Sequence, residues 1–203
     1  MNTIGTALDP SHSERDLDQR IVLDGISWAQ YVALRRADDS PGLRMTYLGG
    51  ALEIMSPSTL HEDIKKRIAR LLETWAVERG VELSGYGSTT YRSRAKEIGL
   101  EPDECYCLGE SQKARPDIAI EVNVSSGGVD KLEVYRGLGV PEVWVWARGN
   151  LVVHRLGRRG YSSHKTSALL PNLDVALLGT FAAMSTSQTK AVIAYRDVIR
   201  ARG

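Results

Sequence analysis

The sequence has only two cysteines, Cys105 and Cys107, and they lie one residue apart. Such a pair is too small for a disulfide framework and cannot complete a tetrahedral zinc site unaided. The first twenty residues lack the apolar segment of a signal peptide, and no later apolar run is long enough to span a bilayer. We therefore expect a cytoplasmic protein with reduced thiols and no membrane partner.

An excess of charge of one sign is also missing. Lys and Arg number 26 against 25 for Asp and Glu, which gives a formal net charge of +1. Proteins that coat nucleic acid carry a global basic excess, so any nucleic-acid surface here must be local. The P-loop and the GxSxG nucleophile elbow are absent as well, which argues against a nucleotide-phosphate cradle and a serine hydrolase.

The length and composition fit one folded domain. The chain has 203 residues, is 42% hydrophobic and has no long Pro, Ser or Gly tract, so it can bury one substantial core. Residues 1–20 show almost no periodic apolar signal, and we predict a mobile N-terminal arm there. Residues 21–203 are predicted to form the single domain.

Local signals predict two helices and a hairpin in the first half of the domain. Ser27 can cap a short helix. Gly49 and Gly50 separate two β-prone runs and can adopt the positive φ of a tight hairpin. Thr59 begins a longer helix, because apolar residues then recur at helical intervals until Gly80 provides a stop.

The second half of the sequence interleaves strands and helices. In the run DIAIEVNV, alternation predicts one core face and a second face that presents Asp117 and Glu121. A short helix follows in which Lys131 and Tyr135 share a face at i,i+4. Further strands and a terminal helix over about residues 188–201 complete an α/β fold, with a central mixed β-sheet flanked by helices.

Two carboxylates on neighbouring apolar strands are the strongest chemical signal. A buried carboxylate is costly unless a cation or hydrogen-bond donors compensate it. Asp103 begins one predicted strand and Glu121 lies in the middle of another, so both can point at one place. Together they suit a hard divalent cation, Mg²⁺ or Mn²⁺. Asp117 is an alternative to Asp103, but at about 3.3 Å per strand residue it lies roughly 13 Å from Glu121, too far to share one ion.

Several segments, taken in order, resemble the bacterial putative restriction endonuclease family of the PD-(D/E)XK nuclease superfamily, formerly catalogued as a domain of unknown function. The resemblance covers roughly residues 43–180 and implies a restriction-endonuclease-like fold with an N-terminal β-hairpin. Its specificity lies in the ordered combination of TYLGGALEIMSPSTLHE, GSTTYR, EPDECY, RPDIAIEVNVSSGGVDKLEVY and GLGVPEVWVW.

The resemblance implies roles for individual residues. Asp103 resembles the family's metal-binding Asp, and Glu121 resembles its second carboxylate ligand. The superfamily's simplest pattern has a lysine two residues after the Glu, where this sequence has Asn123. Lys131, on the following helix, matches a lysine that substitutes for it in the family by orienting or deprotonating the attacking water.

Four further residues are candidates for the site. Glu53 resembles an additional acidic residue of the family, as a third metal ligand or a water-holding base, or it is a solvated hairpin residue. His61 resembles a family histidine that contacts phosphate or carries a proton, or it is a polar surface residue. Arg92 and Arg94 are candidates for contact with substrate phosphates, although arginines at strand ends are usually solvated.

The resemblance implies a metal-dependent endonuclease that hydrolyses DNA phosphodiester bonds. Cutting both strands of a duplex usually needs two sites, which is compatible with a homodimer. One alternative is a catalytically inactive nucleic-acid-binding or regulatory protein on the nuclease scaffold, since a fold does not establish an activity. Another is a metal hydrolase for a small phosphodiester. A third alternative is a purely structural role, in which the carboxylates pair with Arg92, Arg94 or Lys131 and bind no ion.

Overall fold

The computed structural model describes residues 17–37, 40, 42–87, 89–109, 113–124 and 127–202. Within these residues the chain forms five α-helices and eleven strands in two sheets. None of the described helices combines the length and apolar character needed to cross a bilayer. In chain order the elements are β1 Gln19–Leu23, α1 Trp28–Ala37, β2 Arg44–Leu48, β3 Ala51–Ser56, α2 Thr59–Arg79, β4 Leu83–Gly85, β5 Tyr91–Ser93, a 3-10 turn Arg94–Lys96, β6 Ile98–Leu100, β7 Glu104–Leu108, β8 Ile118–Asn123, α3 Lys131–Leu138, β9 Glu142–Ala147, β10 Asn150–Gly157, β11 Gly160–His164, α4 Val175–Ala182 and α5 Gln188–Ala201.

The antiparallel sheet has the strand order β1-β3-β2-β6-β5. Its centre is the predicted hairpin, in which β2 pairs with β3 and Leu48 lies opposite Ala51. Gly49 and Gly50 both have positive φ, 50° and 101°, as a tight two-residue turn requires. The hairpin is therefore confirmed, but β1 precedes it and pairs with the outer edge of β3.

The mixed sheet has the strand order β11-β10-β9-β8-β7-β4. Strands β8 and β9 are parallel and joined by the crossover helix α3, whereas every other pair of strands in the sheet is antiparallel. A parallel pair needs such a crossover, because the chain must return to the same end of the sheet. The predicted α/β fold with a mixed sheet is confirmed.

Helix α2 packs the main core against the mixed sheet. Ser58 caps it by accepting a hydrogen bond from the backbone N–H of His61 at 3.1 Å, and Gly80 ends it in the left-handed conformation. Its apolar face packs with α4, α5 and the apolar side chains of β8 and β9. Since α2 begins beside the carboxylates described below, its cap also fixes the direction of the His61 side chain.

Two expectations about burial need correction. We predicted that only one face of the run DIAIEVNV would be core, but Ala119 and Glu121 on the second face are buried too, because α3 covers that face. We also placed Gln19 and Arg20 in a mobile arm, whereas Gln19 pairs with Ser56 and Arg20 with Met55 in β1. Residues 1–16 of the predicted arm lie outside the described residues.

Candidate active site

Asp103 and Glu121 face each other across two antiparallel strands. Glu104, the first residue of β7, pairs with Ile120 in β8, so Asp103 lies directly before this register and beside Glu121. The Oδ2 atom of Asp103 accepts a hydrogen bond of 2.8 Å from the backbone N–H of Val122. Asp103 is 1% exposed and Glu121 is 4% exposed. The carboxylates are thus brought together as predicted, in a place from which water is largely excluded.

His61 connects Asp103 to Asp18, the residue directly before β1. Its Nε2 atom lies 3.1 Å from Oδ2 of Asp103, an ion-pair contact that lacks the alignment of a full hydrogen bond. Its Nδ1 atom lies 3.0 Å from Oδ2 of Asp18. Asp18 also accepts a hydrogen bond of 2.9 Å from the backbone N–H of Ser58. The imidazole is therefore clamped between two carboxylates.

The electrostatics of this clamp favour a charged imidazole. Burial alone would lower the pKa of His61, but the carboxylates of Asp103 and Asp18 outweigh it and raise the pKa from 6.5 to about 9. Burial likewise opposes ionisation of Asp103, yet His61 and Lys131 hold its pKa below the usual 3.8. At neutral pH the structure therefore favours an ionised Asp103 beside an imidazolium.

Glu121 is held by two side chains of helix α3. Asp130 caps this helix by accepting a hydrogen bond from the backbone N–H of Glu133 at 3.3 Å. Lys131 then donates to Oε2 of Glu121 at 2.6 Å, and the hydroxyl of Tyr135, one turn further, donates to Oε1. The predicted i,i+4 face of Lys131 and Tyr135 is therefore the face that contacts the strand carboxylate.

The two carboxylates have different environments. Burial raises the pKa of Glu121, the contact with Lys131 opposes this shift, and the charge of Asp103 adds to it. Burial alone would lower the pKa of Lys131, but Glu121, Asp103 and Glu53 together raise it above its usual 10.5. Lys131 is consequently a protonated donor rather than a base at neutral pH.

Glu53, from β3 of the other sheet, reaches the same cluster. Its Oε2 atom accepts a hydrogen bond of 2.9 Å from the backbone N–H of Val129 and lies 3.6 Å from Nε of Arg20. Its Oε1 atom is buried and has no hydrogen-bond partner among the described residues. Glu53 is 1% exposed, so the alternative of a solvated hairpin residue is wrong.

Part of this cluster lines a cavity of about 390 Å³ between β8, β9, α3 and β3, whereas Asp103 and His61 lie behind its wall and do not line it. Glu53, Glu121 and Lys131 line its charged wall, and Val143 and Val145 line an apolar wall. Formal charges in the surrounding cluster do not cancel. Four carboxylates (Asp18, Glu53, Asp103 and Glu121) face three cations (Arg20, Lys131 and protonated His61), which leaves one net negative charge.

The chemistry of the donors fits a hard divalent cation. Asp103 and Glu121 supply carboxylate oxygens on adjacent strands, the Oε1 atom of Glu53 is a buried acceptor without a partner, and the cluster has an excess negative charge. No group of three or more acidic, His or Cys side chains in the described part of the chain converges as a complete metal cage. Two carboxylates are enough for Mg²⁺, which usually keeps several waters and takes further oxygens from a substrate phosphate.

The other residues considered from the sequence lie elsewhere. Arg92 lines a different cavity on the antiparallel sheet's edge strand β5, and Arg94 is exposed in the 3-10 turn after it. Asp117 accepts hydrogen bonds from the Leu108 backbone N–H and from Lys113, and lines that other cavity. Asn123 is exposed and lines the first cavity.

Three contributors to the cluster were missed from the sequence. Asp18 and Arg20 flank the start of β1, and the short β-prone run RIVL was the only local sign of that strand. Tyr135 was expected to share a face with Lys131, but its hydrogen bond to Glu121 depends on how α3 packs across β8. One sequence signal could have predicted the contact of Tyr135 with Glu121: a strand carboxylate followed by a helix with Lys and Tyr at i,i+4.

Paired strand carboxylates, with a lysine on the next helix, form the candidate site of this α/β protein. The family described as "Uma2: Putative restriction endonuclease" matches residues 28–185, more than half of the chain, and the chain belongs to this family. Among solved structures, the chain is similar to a putative nuclease of DUF820 from Anabaena variabilis ATCC 29413. The identity is 12% and the TM-score 0.46, over 84% of this chain and 99% of that one. A search of curated proteins gave no match.

Proposed function

We propose that this protein is an endonuclease that hydrolyses DNA phosphodiester bonds with Mg²⁺ or Mn²⁺ held by Asp103 and Glu121. The observation that carries the proposal is the placement of these two buried carboxylates on adjacent strands, with Lys131 2.6 Å from Glu121. Membership of the restriction endonuclease family supports the same chemistry.

The bound ion would supply Lewis-acid chemistry at the scissile phosphate and lower the pKa of an attacking water. Lys131 has a raised pKa and is 20% exposed toward the cavity, so it remains charged and can donate to a phosphoryl oxygen as negative charge develops. It therefore stabilises charge and orients water rather than removing a proton. The Oε1 atom of Glu53 is the unpartnered acceptor that can hold the attacking water.

His61 acts through Asp103 in this proposal. Both of its ring nitrogens face carboxylates, and its side chain is 0% exposed, so it does not offer a surface to a substrate phosphate. A clamped imidazolium instead fixes the orientation of the Asp103 carboxylate and compensates its charge. We therefore assign His61 and Asp18 a positioning role.

A second candidate is a nucleic-acid-binding or regulatory protein without turnover. The observation that favours it is that both oxygens of Glu121 already accept hydrogen bonds, from Lys131 and Tyr135, while Asn123 stands at the usual lysine position. In such a protein Lys131 would take the place of the ion as the partner of Glu121.

The deciding experiment is incubation of the purified protein with supercoiled plasmid in Mg²⁺, Mn²⁺ or EDTA. The variants are Asp103→Asn and Glu121→Gln, and the matched control is Glu78→Gln, an acid-to-amide change at an ion pair with Arg200 on the helical surface. We expect metal-dependent nicking by wild type and the control, and at least a hundredfold loss in both site variants. Calorimetry with Mn²⁺ should show binding to wild type and weaker binding to both site variants.

Other outcomes separate the candidates. Plasmid binding without nicking, together with no Mn²⁺ binding, would support the regulatory protein and overturn the endonuclease. Cleavage of a chromogenic diester with no effect on plasmid would point to a small-phosphodiester hydrolase. Linear product formed without accumulation of nicked plasmid would indicate two sites acting together, and sedimentation of the protein as a dimer is expected in that case.

A further inference from the structure

A second cavity, of about 600 Å³, lies at the opposite end of the β8–α3 unit. It is formed by β5, the turn after it, the loop before β8 and the C-terminal end of α3. We call it the basic groove, because among the described residues four basic side chains line it against one carboxylate, that of Asp117: Arg92, Lys96, Lys113 and Arg115. Four cations minus one carboxylate leave +3 in a chain whose net charge is only +1. The sequence required that any nucleic-acid surface be local, and this charge is local.

Contacts within the groove leave most of this charge available. Lys113 pairs with Asp117 at 2.6 Å, so these two charges offset each other. Lys96 donates to the backbone carbonyl of Gly137 at 2.6 Å, which ties the groove to the end of α3 without cancelling the charge of Lys96. Arg92 and Arg115 are exposed. Three positive charges therefore remain on a concave surface.

The groove lies on the same side of the mixed sheet as the candidate active site. Both cavities contact α3, with Lys131 at one end of the helix and Leu138 at the other. Seven residues at about 1.5 Å each separate these two by roughly 10 Å along the helix. On β8, Asp117 and Glu121 are about 13 Å apart at about 3.3 Å per residue. One strand of duplex DNA rises about 3.4 Å per nucleotide, so the separation corresponds to about three or four nucleotides.

We propose that the basic groove binds the phosphate backbone of the nucleic-acid substrate, three or four nucleotides from the bond that is cut. This inference rests on the proposed function and extends it to a substrate-binding surface. Arginine side chains bind phosphate oxygens in a bidentate way, and lysine supplies a point charge. Such contacts carry no base information, so the groove fixes the register of the backbone and contributes affinity rather than sequence preference.

The test compares two triple variants that remove the same charge. The groove variant is Arg92→Gln with Lys96→Gln and Arg115→Gln. The matched control is Arg148→Gln with Arg158→Gln and Arg159→Gln, three exposed arginines in the turns flanking β10. Binding of a fluorescent 20-base-pair duplex is measured by anisotropy in EDTA, over a range of salt concentrations, so that cleavage does not interfere.

We expect the groove variant to bind at least tenfold more weakly than wild type at low salt. Each lost phosphate contact lowers the slope of log affinity against log salt by about 0.9, so three contacts lower it by about 2 to 3. The control should keep the slope of wild type. Equal slopes for the groove variant and wild type would overturn the groove assignment, even if wild type nicks plasmid, and would leave the proposed function standing.

Two further outcomes are also informative. Wild type that neither nicks plasmid nor binds duplex would overturn the proposed function and the groove together. Poly-glutamate and unlabelled duplex can also be compared as competitors of the fluorescent duplex at equal charge concentration. If poly-glutamate competes as well as duplex does, the partner is an acidic polypeptide and the nucleic-acid assignment is overturned.

Discussion

The imidazole of His61 lies 3.1 Å from the carboxylate of Asp103, and this contact ties the candidate metal ligand to the first turn of α2. On its other side the same ring contacts Asp18, just before β1. Asp103 is thus oriented from two directions, by the backbone of Val122 and by a charged ring that is itself held. A ligand held in this way loses little freedom when a cation binds, which favours a preorganised site.

The first prediction concerns the stability of the metal-free protein between pH 6.5 and 9. The pKa of His61 is raised in the folded state to about 9 from 6.5, so the folded protein binds one more proton than the unfolded chain in this interval. The stabilisation is therefore fully present below pH 6.5 and is lost as the pH rises to about 9. We expect the free energy of unfolding, measured with urea in EDTA, to fall by at most about 3 kcal/mol over this range.

Two variants isolate the contribution of His61 to this pH dependence. Asp18→Asn keeps the imidazole but removes one of its carboxylates, so the folded-state pKa of His61 falls and the decline, which still begins near pH 6.5, should end at lower pH and be smaller. His61→Asn should abolish the part of the decline that His61 causes. Groups that titrate in both wild type and His61→Asn cancel when the two proteins are compared. A His61→Asn protein whose unfolding free energy declines as steeply as that of wild type would contradict the assignment.

The elements that the sequence predicted well are those specified by local patterns. Helix α2 has both a cap and a stop, α5 matches the predicted range, and the hairpin is set by Gly49 and Gly50. The relation between Lys131 and Tyr135 followed from helical spacing alone. Asp103 and Glu121 could be paired because each begins or interrupts an otherwise apolar strand.

What the sequence could not predict depends on contacts between distant segments. Strand β1 pairs with β3 some thirty residues later, and the short run RIVL could not reveal that this pairing brings Asp18 and Arg20 to the cluster. Helix α4 is apolar almost throughout its sequence, so hydropathy does not distinguish its buried positions from its exposed ones and no helical period is detectable. Arg92 was a candidate for contact with substrate phosphates beside the carboxylates, but β5 is an edge strand three places from β3, which carries Glu53, and no local pattern reveals this strand order.

The second prediction is an energetic coupling between Lys131 and Glu121. Lys131→Met leaves a buried carboxylate without its cation and should cost about 3 kcal/mol of unfolding free energy. Glu121→Gln should cost less, because Lys131 still faces Asp103 and Glu53. The double variant should be more stable than the sum of the two changes predicts, by at least about 1 kcal/mol.

A double-mutant cycle from urea unfolding in EDTA measures this coupling. Adding Mn²⁺ should stabilise Lys131→Met more than wild type, because the ion then replaces the missing charge beside Glu121. Strict additivity of the two substitutions, with the same response to Mn²⁺ in all four proteins, would show that the contact of 2.6 Å has no energetic role.

The third prediction compares the loss of the Tyr135 hydroxyl with the loss of the Tyr161 hydroxyl, whose hydrogen-bond acceptor is uncharged. Tyr135 donates to the Glu121 carboxylate, whereas Tyr161 donates to the backbone carbonyl of Val140 at 2.6 Å. Hydrogen bonds to charged groups contribute about 1.5–3 kcal/mol, against about 1 kcal/mol for neutral ones, so Tyr135→Phe should destabilise the protein more than Tyr161→Phe. Only Tyr135→Phe should also change the affinity for Mn²⁺, measured by calorimetry. If Tyr135→Phe and Tyr161→Phe had equal affinities for Mn²⁺, Tyr135 would have no role in the metal site.

The fourth prediction uses Gly128, which closes the cavity over Glu53. Its φ is 103°, and a Cβ atom there would overlap the Glu53 carboxylate and come within 2.9 Å of Nη1 of Arg20. Glu53 is buried and Arg20 is partly buried, and the two are paired with each other, so neither can move aside cheaply. We expect Gly128→Ala to displace Glu53, to lose at least tenfold in plasmid nicking and to weaken Mn²⁺ binding.

Gly149→Ala is the matched control for the backbone strain alone. Gly149 has a φ of 79°, and a Cβ atom there would meet nothing within 4 Å. Left-handed backbone costs an alanine roughly 1–2 kcal/mol, so both variants should lose stability. Only Gly128→Ala should lose activity at a temperature where both are folded, since only there does the added methyl group enter the carboxylate cluster. If the two variants kept the same activity and Mn²⁺ affinity, the position of Glu53 would be irrelevant to the chemistry, and its proposed role in holding the attacking water would fail.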